Sequence, residues 1–161
     1  MSLQTIKIAS ENLTAEQIAK FGDKPATKNK SAFVAGQRLT LKELGWRQLL
    51  EEDGVTPVLD NDNDAIFFPV LETSAGDKAS IALGLFEVKW DDRLQKPVTP
   101  AGPLADYFRK HCTEFTRREM ITHMAEEFKD VEFEVTLFFY SVPKKDGGFF
   151  RASFPVFLKA E

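Results

Sequence analysis

The clearest periodicity in the chain is a strand alternation toward its C-terminal end. Val131, Phe133, Val135, Leu137 and Phe139 occupy every second position, with Glu132, Glu134 and Thr136 between them. Successive side chains of a strand point to opposite faces, so this spacing predicts a half-buried strand. Lys144-Lys145-Asp146-Gly147-Gly148 reads as a turn. After it, Phe150, Ala152, Phe154, Val156 and Leu158 alternate again and predict the return strand of a hairpin. Phe133, Val135, Leu137, Phe154 and Val156 are the expected core of this unit.

Upstream, helix and strand signals are interleaved. Thr14 and Gln17 form a capping box for a helix over 13–21, with Ile18 and Phe21 on one side and Gly22 as its stop. A Lys-rich loop is expected from Gly22 to Lys30, followed by a short strand at Phe33-Val34. Thr40 with Glu43, and Leu41, Leu44 and Leu49-Leu50 on one side, predict a second helix ending at Asp53-Gly54, although Gly45 weakens it. Ala65 to Leu71 is a continuous apolar run and predicts a buried strand, in which Pro69 argues for an edge or a bulge. The turn Ser74-Ala75-Gly76-Asp77 leads into Ala79 to Val88, where Ile81, Leu83 and Leu85 alternate, so these two runs predict a hairpin. Residues 91–103 read as a proline-rich loop. Pro103 opens a helix carrying Leu104, Phe108 and Cys112, and Thr116-Arg117-Arg118-Glu119 caps another with Met120, Ile121, Met124 and Phe128 on one side.

These elements predict a single α+β domain over residues 1–161. Its centre is a curved antiparallel sheet of about five strands, with three or four short helices. Strand hairpin, helical insertion and strand hairpin is an order compatible with an OB-like, partly closed barrel, an analogy of fold that carries no functional weight. Phe68-Pro69-Val70-Leu71 echoes Phe154-Pro155-Val156-Phe157, as two similar edge strands would.

Composition narrows the class. A chain of 161 residues, 43% hydrophobic, can bury roughly 70% of its unfolded surface and needs no disulfide or metal to hold a core. Cys112 is the single cysteine, so no intrachain disulfide forms, which favours a reducing compartment. The N-terminus lacks a signal-like apolar segment and no run approaches the roughly 20 residues of a membrane helix, so a cytoplasmic chain without membrane contact is expected. The net charge of −4 argues against a protein that coats duplex DNA. Charge is nevertheless uneven. Lys20, Lys24, Lys28 and Lys30 cluster, as do Arg109, Lys110, Arg117 and Arg118, whereas acids gather at 51–53, 60–64 and 126–134.

Fifteen Phe stand against two Trp and two Tyr. A Phe ring fills a core, and it also offers a π-face on which a nucleobase can stack. In the terminal hairpin the alternation fails after Thr136. Phe138 and Tyr140 fall on the polar face, joined by Phe149 and Arg151 if register is kept, with Lys144 and Lys145 at the same end. Rings interleaved with cations suit single-stranded nucleic acid. The competing reading is that helices cover this second face and make the rings core.

Other constellations are weaker. Asp60-Asn61-Asp62-Asn63-Asp64 resembles the opening of an EF-hand calcium loop, but Ala65 stands where that loop has Gly and Leu71 where it has its closing Glu. A solvated turn is the simpler reading. His111, Cys112 and His123 lack zinc or nucleophile spacing, and Cys112 reads as a small buried hydrophobe. Trp46 and Trp90 read as core or boundary residues. No phosphate loop, nucleophile elbow or dinucleotide fingerprint is present. The expectation is therefore a non-enzymatic single-stranded nucleic-acid-binding protein without cofactor or metal, accessory to replication or recombination. Its site would be Phe138, Tyr140, Lys144, Lys145, Phe149 and Arg151. The rival is an assembly protein that oligomerises, or docks on a protein partner, through Phe-rich edge strands.

Overall fold

A computed structural model describes residues 25–26, 33–51, 53–76 and 79–161, with backbone only at 25–26. The expected helix over 13–21 and most of the Lys-rich loop lie outside these residues. The strands are β1 (Pro25–Ala26), β2 (Arg38–Leu49), β3 (Phe67–Thr73), β4 (Ile81–Ala82), β5 (Lys89–Asp91), β6 (Lys96–Val98), β7 (Glu132–Pro143) and β8 (Phe149–Lys159). Two α-helices, α1 (Pro103–His111) and α2 (Arg117–Glu127), lie between β6 and β7, and a 3-10 turn spans Leu83–Phe86.

The main sheet runs β4-β3-β2-β7-β8 with antiparallel neighbours. β1 adds a short parallel pairing to the end of β2, and β5 and β6 form a separate ribbon. The chain is thus mixed α+β around five antiparallel strands. The OB-like closure is not found: β4 and β8 end the order on opposite sides, so the sheet stays open. Two helices among the described residues, rather than three or four, is the other correction.

The missing helix is β2. Leu39 and Leu41 face the core, but the ladder with β3 jumps from Leu41 opposite Thr73 to Leu44 opposite Leu71. One extra residue therefore sits in β2 between these pairs, a β-bulge that shifts the inward phase from odd to even. Leu44 and Trp46 point inward after it. The bulge spaces Leu41 and Leu44 three apart, which mimics a helical period, and the Thr40/Glu43 pair completes a false cap. The expected strand at Phe33-Val34 is instead a turn ahead of β2, closed by Gln37 N–H donating to Val34 O at 3.1 Å.

The other signals hold. Glu119 N–H donates to Thr116 Oγ1 at 3.2 Å, so Thr116 caps the start of α2 as expected. β3 and β4 form the expected hairpin, although β4 is short and Leu83 and Leu85 enter the 3-10 turn. The expected proline-rich loop over 91–103 instead holds β6, which pairs with β5 just ahead of it.

One side of the sheet carries the main core. Leu39, Leu41, Leu71, Phe133, Val135 and Phe157 meet Leu104 and Phe108 of α1 and Met120, Ile121 and Met124 of α2. Phe33 packs edge-on against Phe157 at 5.0 Å, and Phe86 lies 5.9 Å from Phe108. On the opposite side, Arg47 is buried against Glu72. Its Nη1 donates to Glu72 Oε1 at 3.0 Å, its Nη2 donates to Ser80 Oγ, and Ser80 Oγ donates to Glu72 Oε2 at 3.0 Å. No helix among the described residues is long and apolar enough to cross a membrane.

Candidate functional site

The terminal hairpin is longer than the sheet that supports it. β2 pairs with β7 only from Arg38–Glu134 to Thr40–Glu132. Two further bonds follow, Val135 N–H to Gln37 O at 2.9 Å and Gly36 N–H to Val135 O at 2.8 Å. Gly36 has a φ of 85°, a conformation that suits glycine, and there the chain turns away. Beyond this point, among the described residues, β7 and β8 pair only with each other, from Thr136–Val156 out to Pro143–Phe149. The hairpin therefore ends in a two-stranded arm.

Parity fixes the faces of the arm. The closing loop, Lys144–Gly148, holds an odd number of residues, so odd positions of β7 pair with odd positions of β8. Lys144 N–H donates to Gly148 O at 3.0 Å and Gly147 N–H to Lys144 O at 3.2 Å, with Gly147 and Gly148 both at positive φ. The even face carries Phe138, Tyr140 and Val142 opposite Phe154, Ala152 and Phe150. The odd face carries Leu137, Phe139, Ser141 and Pro143 opposite Pro155, Ser153, Arg151 and Phe149.

The expected site residues are divided by this register. Lys144 and Lys145 are exposed in the loop. Phe138 and Tyr140 share the even face, while Phe149 and Arg151 lie on the odd face, against the expectation that all four share one. The even face holds a ladder of rings. Phe138 stacks on Phe154 with centroids 5.1 Å apart and planes 26° apart, and Tyr140 lies 5.7 Å from Phe154. Phe154 is sunk beneath them, whereas Phe138 is 41% exposed. Tyr140 is half-buried, and burial pushes its phenol above the usual value of 10.0. On the odd face the Arg151 guanidinium sits 4.5 Å over the Phe139 ring, and Phe149 is 59% exposed.

Two residues outside the expected site belong to this surface. Phe150 is 48% exposed, on the same even face as Phe138 and Tyr140 rather than in the core. Phe139 is exposed because the core ends near Leu137. Phe154 and Val156 are buried as expected, but on the face opposite Phe133 and Val135, and the core residue of β8 is Phe157. The signal that separates these assignments is the odd length of the loop.

No family model, curated protein or solved structure matches this chain.

The arm differs in charge from the body. Between Thr136 and Val156, Lys144, Lys145 and Arg151 face one acid, Asp146, although the whole chain carries −4. At the base Glu132 and Glu134 are held by Arg38, at 3.1 and 3.8 Å. The other candidates resolve into local structure. The Asp60 carboxylate accepts the N–H groups of Asp62 and Asp64 at 2.9 and 3.0 Å, which builds a turn. His111 and His123 both stack on Phe115, at 5.6 and 4.2 Å, and Cys112 Sγ donates to Arg109 O. Among the described residues no group of three or more such side chains is placed to hold a metal ion. Trp46 is buried beneath the Arg118 guanidinium, whereas Trp90 is exposed and donates to Asp92 Oδ1 at 3.0 Å. A recess of about 360 Å3 between the β2 bulge and the end of α2 is lined by Thr40, Lys42, Glu126, Lys129 and Asp130. It contains neither imidazole nor thiol.

Proposed function

We propose that this chain is a non-enzymatic protein that binds single-stranded nucleic acid through the terminal arm, in replication or recombination. The observation that carries this reading is the juxtaposition, on the terminal arm, of exposed rings with a cationic tip, in an otherwise acidic chain. An arm that served only to bury apolar surface would gain nothing from Lys144, Lys145 and Arg151.

Phe138, Tyr140 and Phe150 offer π-faces to unpaired bases, each stack contributing roughly 1–3 kcal/mol. Lys144 and Lys145 meet the phosphates where the strand rounds the loop. Arg151, already over Phe139, offers its remaining N–H groups to a phosphate from the odd face. Bases within a duplex are stacked on one another and have no free face for these rings. The acidic body repels a second contact, so binding is confined to the arm and short strands suffice.

The test is anisotropy of labelled oligo-dT, titrated across salt concentrations, with a duplex as comparison. Affinity should fall as salt rises, and the duplex should bind more weakly. Phe138→Ala or Phe150→Ala should weaken binding about tenfold, with the salt slope retained. Lys144→Ala should lower the slope by roughly one. Phe149→Ala, on the other face, should have the smaller effect. Absence of binding to DNA and RNA single strands at low salt would rule the reading out.

A further inference from the structure

β7 has one edge bonded to β8 and another that outlasts its partner. Lys144 N–H donates to Gly148 O and Ala160 N–H to Glu132 O, so even-numbered residues exchange their backbone bonds within the hairpin. Odd-numbered residues of β7 turn theirs the other way. At Val135 that side is filled by Gly36 and Gln37. Leu137, Phe139 and Ser141 continue the same edge, and among the described residues no strand pairs with them, although β5 lies close to β7 without a ladder.

Sheets usually guard an open edge with charge, proline, a bulge or brevity. Thr136–Val142 has no charged residue and no proline, and the ladder with β8 runs through it without a shift. The free edge of β8 is guarded. Pro155 lacks a donor there. The Gly102 backbone lies against the Phe157 carbonyl, so closely that a Cβ at Gly102 would be 2.8 Å from that oxygen. Arg151 stands in the middle of what remains.

We propose that the open β7 edge is a homodimer interface, in which two copies pair antiparallel about a two-fold axis at Phe139 and join their arms into one sheet. The free groups select this axis. Bonded partners must both be odd-numbered, so centring on Phe139 sets it against its own copy and Leu137 against Ser141, and every free N–H and C=O of these residues finds a partner. Centring on Tyr140 would set Leu137 against Pro143, which has no N–H to give. The occupant is a second copy because a two-fold axis brings like against like, and Thr136–Val142 itself carries no charge, although Arg151 lies over the Phe139 ring. The rings also match. Phe139 meets Phe139 on the odd face, and Phe138 meets Tyr140 on the even face, prolonging the ladder that starts at Phe154. Strand addition of this kind draws affinity from the backbone and its register from the side chains. The loop cations stay free, and the pairing does not depend on nucleic acid.

The test is sedimentation equilibrium on the full chain and on Phe139→Glu and Phe139→Lys, with far-ultraviolet dichroism to verify the fold. Phe139 is exposed in the single copy, so either side chain reaches water there, Glu beside Arg151 and Lys turned away from it. The unmodified chain should dimerise at micromolar concentration. Each variant alone sets like charges face to face and should weaken the dimer about tenfold or more. An equal mixture sets Glu against Lys and should recover the association. An unmodified chain that remains monomeric at about 100 μM, or a mixture no more associated than its components, overturns the proposal.

Discussion

Gly45→Ala sets two opposed effects against each other at one atom. In most strands this change stabilises, by roughly 0.5–1 kcal/mol, because alanine has less backbone freedom to lose. Here Gly45 lies opposite Val70, on the face that carries Arg47 and Glu72. A Cβ added to it would fall 2.1 Å from Glu72 Oε1 and 2.6 Å from its Cγ, so Glu72 must move. Elsewhere a carboxylate could swing aside at little cost, but this one is held by Arg47 and Ser80. Removing one partner of a buried ion pair costs about 3–5 kcal/mol. The Glu72 side chain is 14% exposed and can reach water, and Arg47 retains Ser80 and the Trp46 carbonyl, so about 2–3 kcal/mol is the appropriate share. Less the gain from alanine, the net loss is about 2 kcal/mol, or a drop of roughly 4–8 °C in Tm for a chain of this length. Urea and thermal melts measure both. In a Glu72→Ala background the space is open, and the same substitution should be neutral or mildly stabilising. Equal or greater stability of the single variant, or an undiminished loss in the Glu72→Ala background, would refute the argument.

Two other outcomes follow from the hairpin. Val135→Ala should destabilise by roughly 1–3 kcal/mol in urea melts, through lost burial opposite Phe157 and a residual cavity, and a change within about 0.5 kcal/mol would contradict the face assigned to it. Burial raises both Tyr140 and Tyr107, the latter also through Glu127, Glu114 and Glu126, so tyrosinate absorbance should develop above pH 10.0 for each. The folded state holds these protons more tightly than the unfolded chain, so this stabilisation is complete below pH 10 and lost as pH climbs through the raised values. Loss of one component in Tyr140→Phe would assign it, and a Tyr140 transition at or below pH 10.0 would contradict its half-buried placement.

The sequence was most legible where one local rule decided the matter. Thr116 and Glu119 specify the start of α2 through their own hydrogen bond, and alternation over Phe133–Leu137 marks β7 without reference to the rest of the chain. It was least legible where two elements had to be registered against each other. Leu41 and Leu44 read as helical because a bulge, which exists only against β3, changes the phase of β2. The same holds at the arm. Every expected site residue lies on it, but whether Phe149 joins Phe138 or opposes it depends on one residue more or less in the loop. Residue type identified the rings and cations, and backbone parity sorted them.

The short ladder between β2 and β7 has a consequence for the order in which the chain folds. β7 and β8 are neighbours in sequence, and a hairpin closed by so short a loop can form in roughly 1–10 μs. β2, β3 and β4 also follow one another closely. The link between these two units is different: Arg38 and Glu132 meet across 94 residues, and the ladder there runs only from Arg38 to Thr40. Loop-closure entropy must be spent before so small a ladder returns anything, so β2 is expected to dock late, onto a hairpin already formed. In the interval Thr136–Val142, uncharged and open along one side, is presented to every other chain in solution. The edge that permits two finished copies to join is thus also the first at which two unfinished ones would.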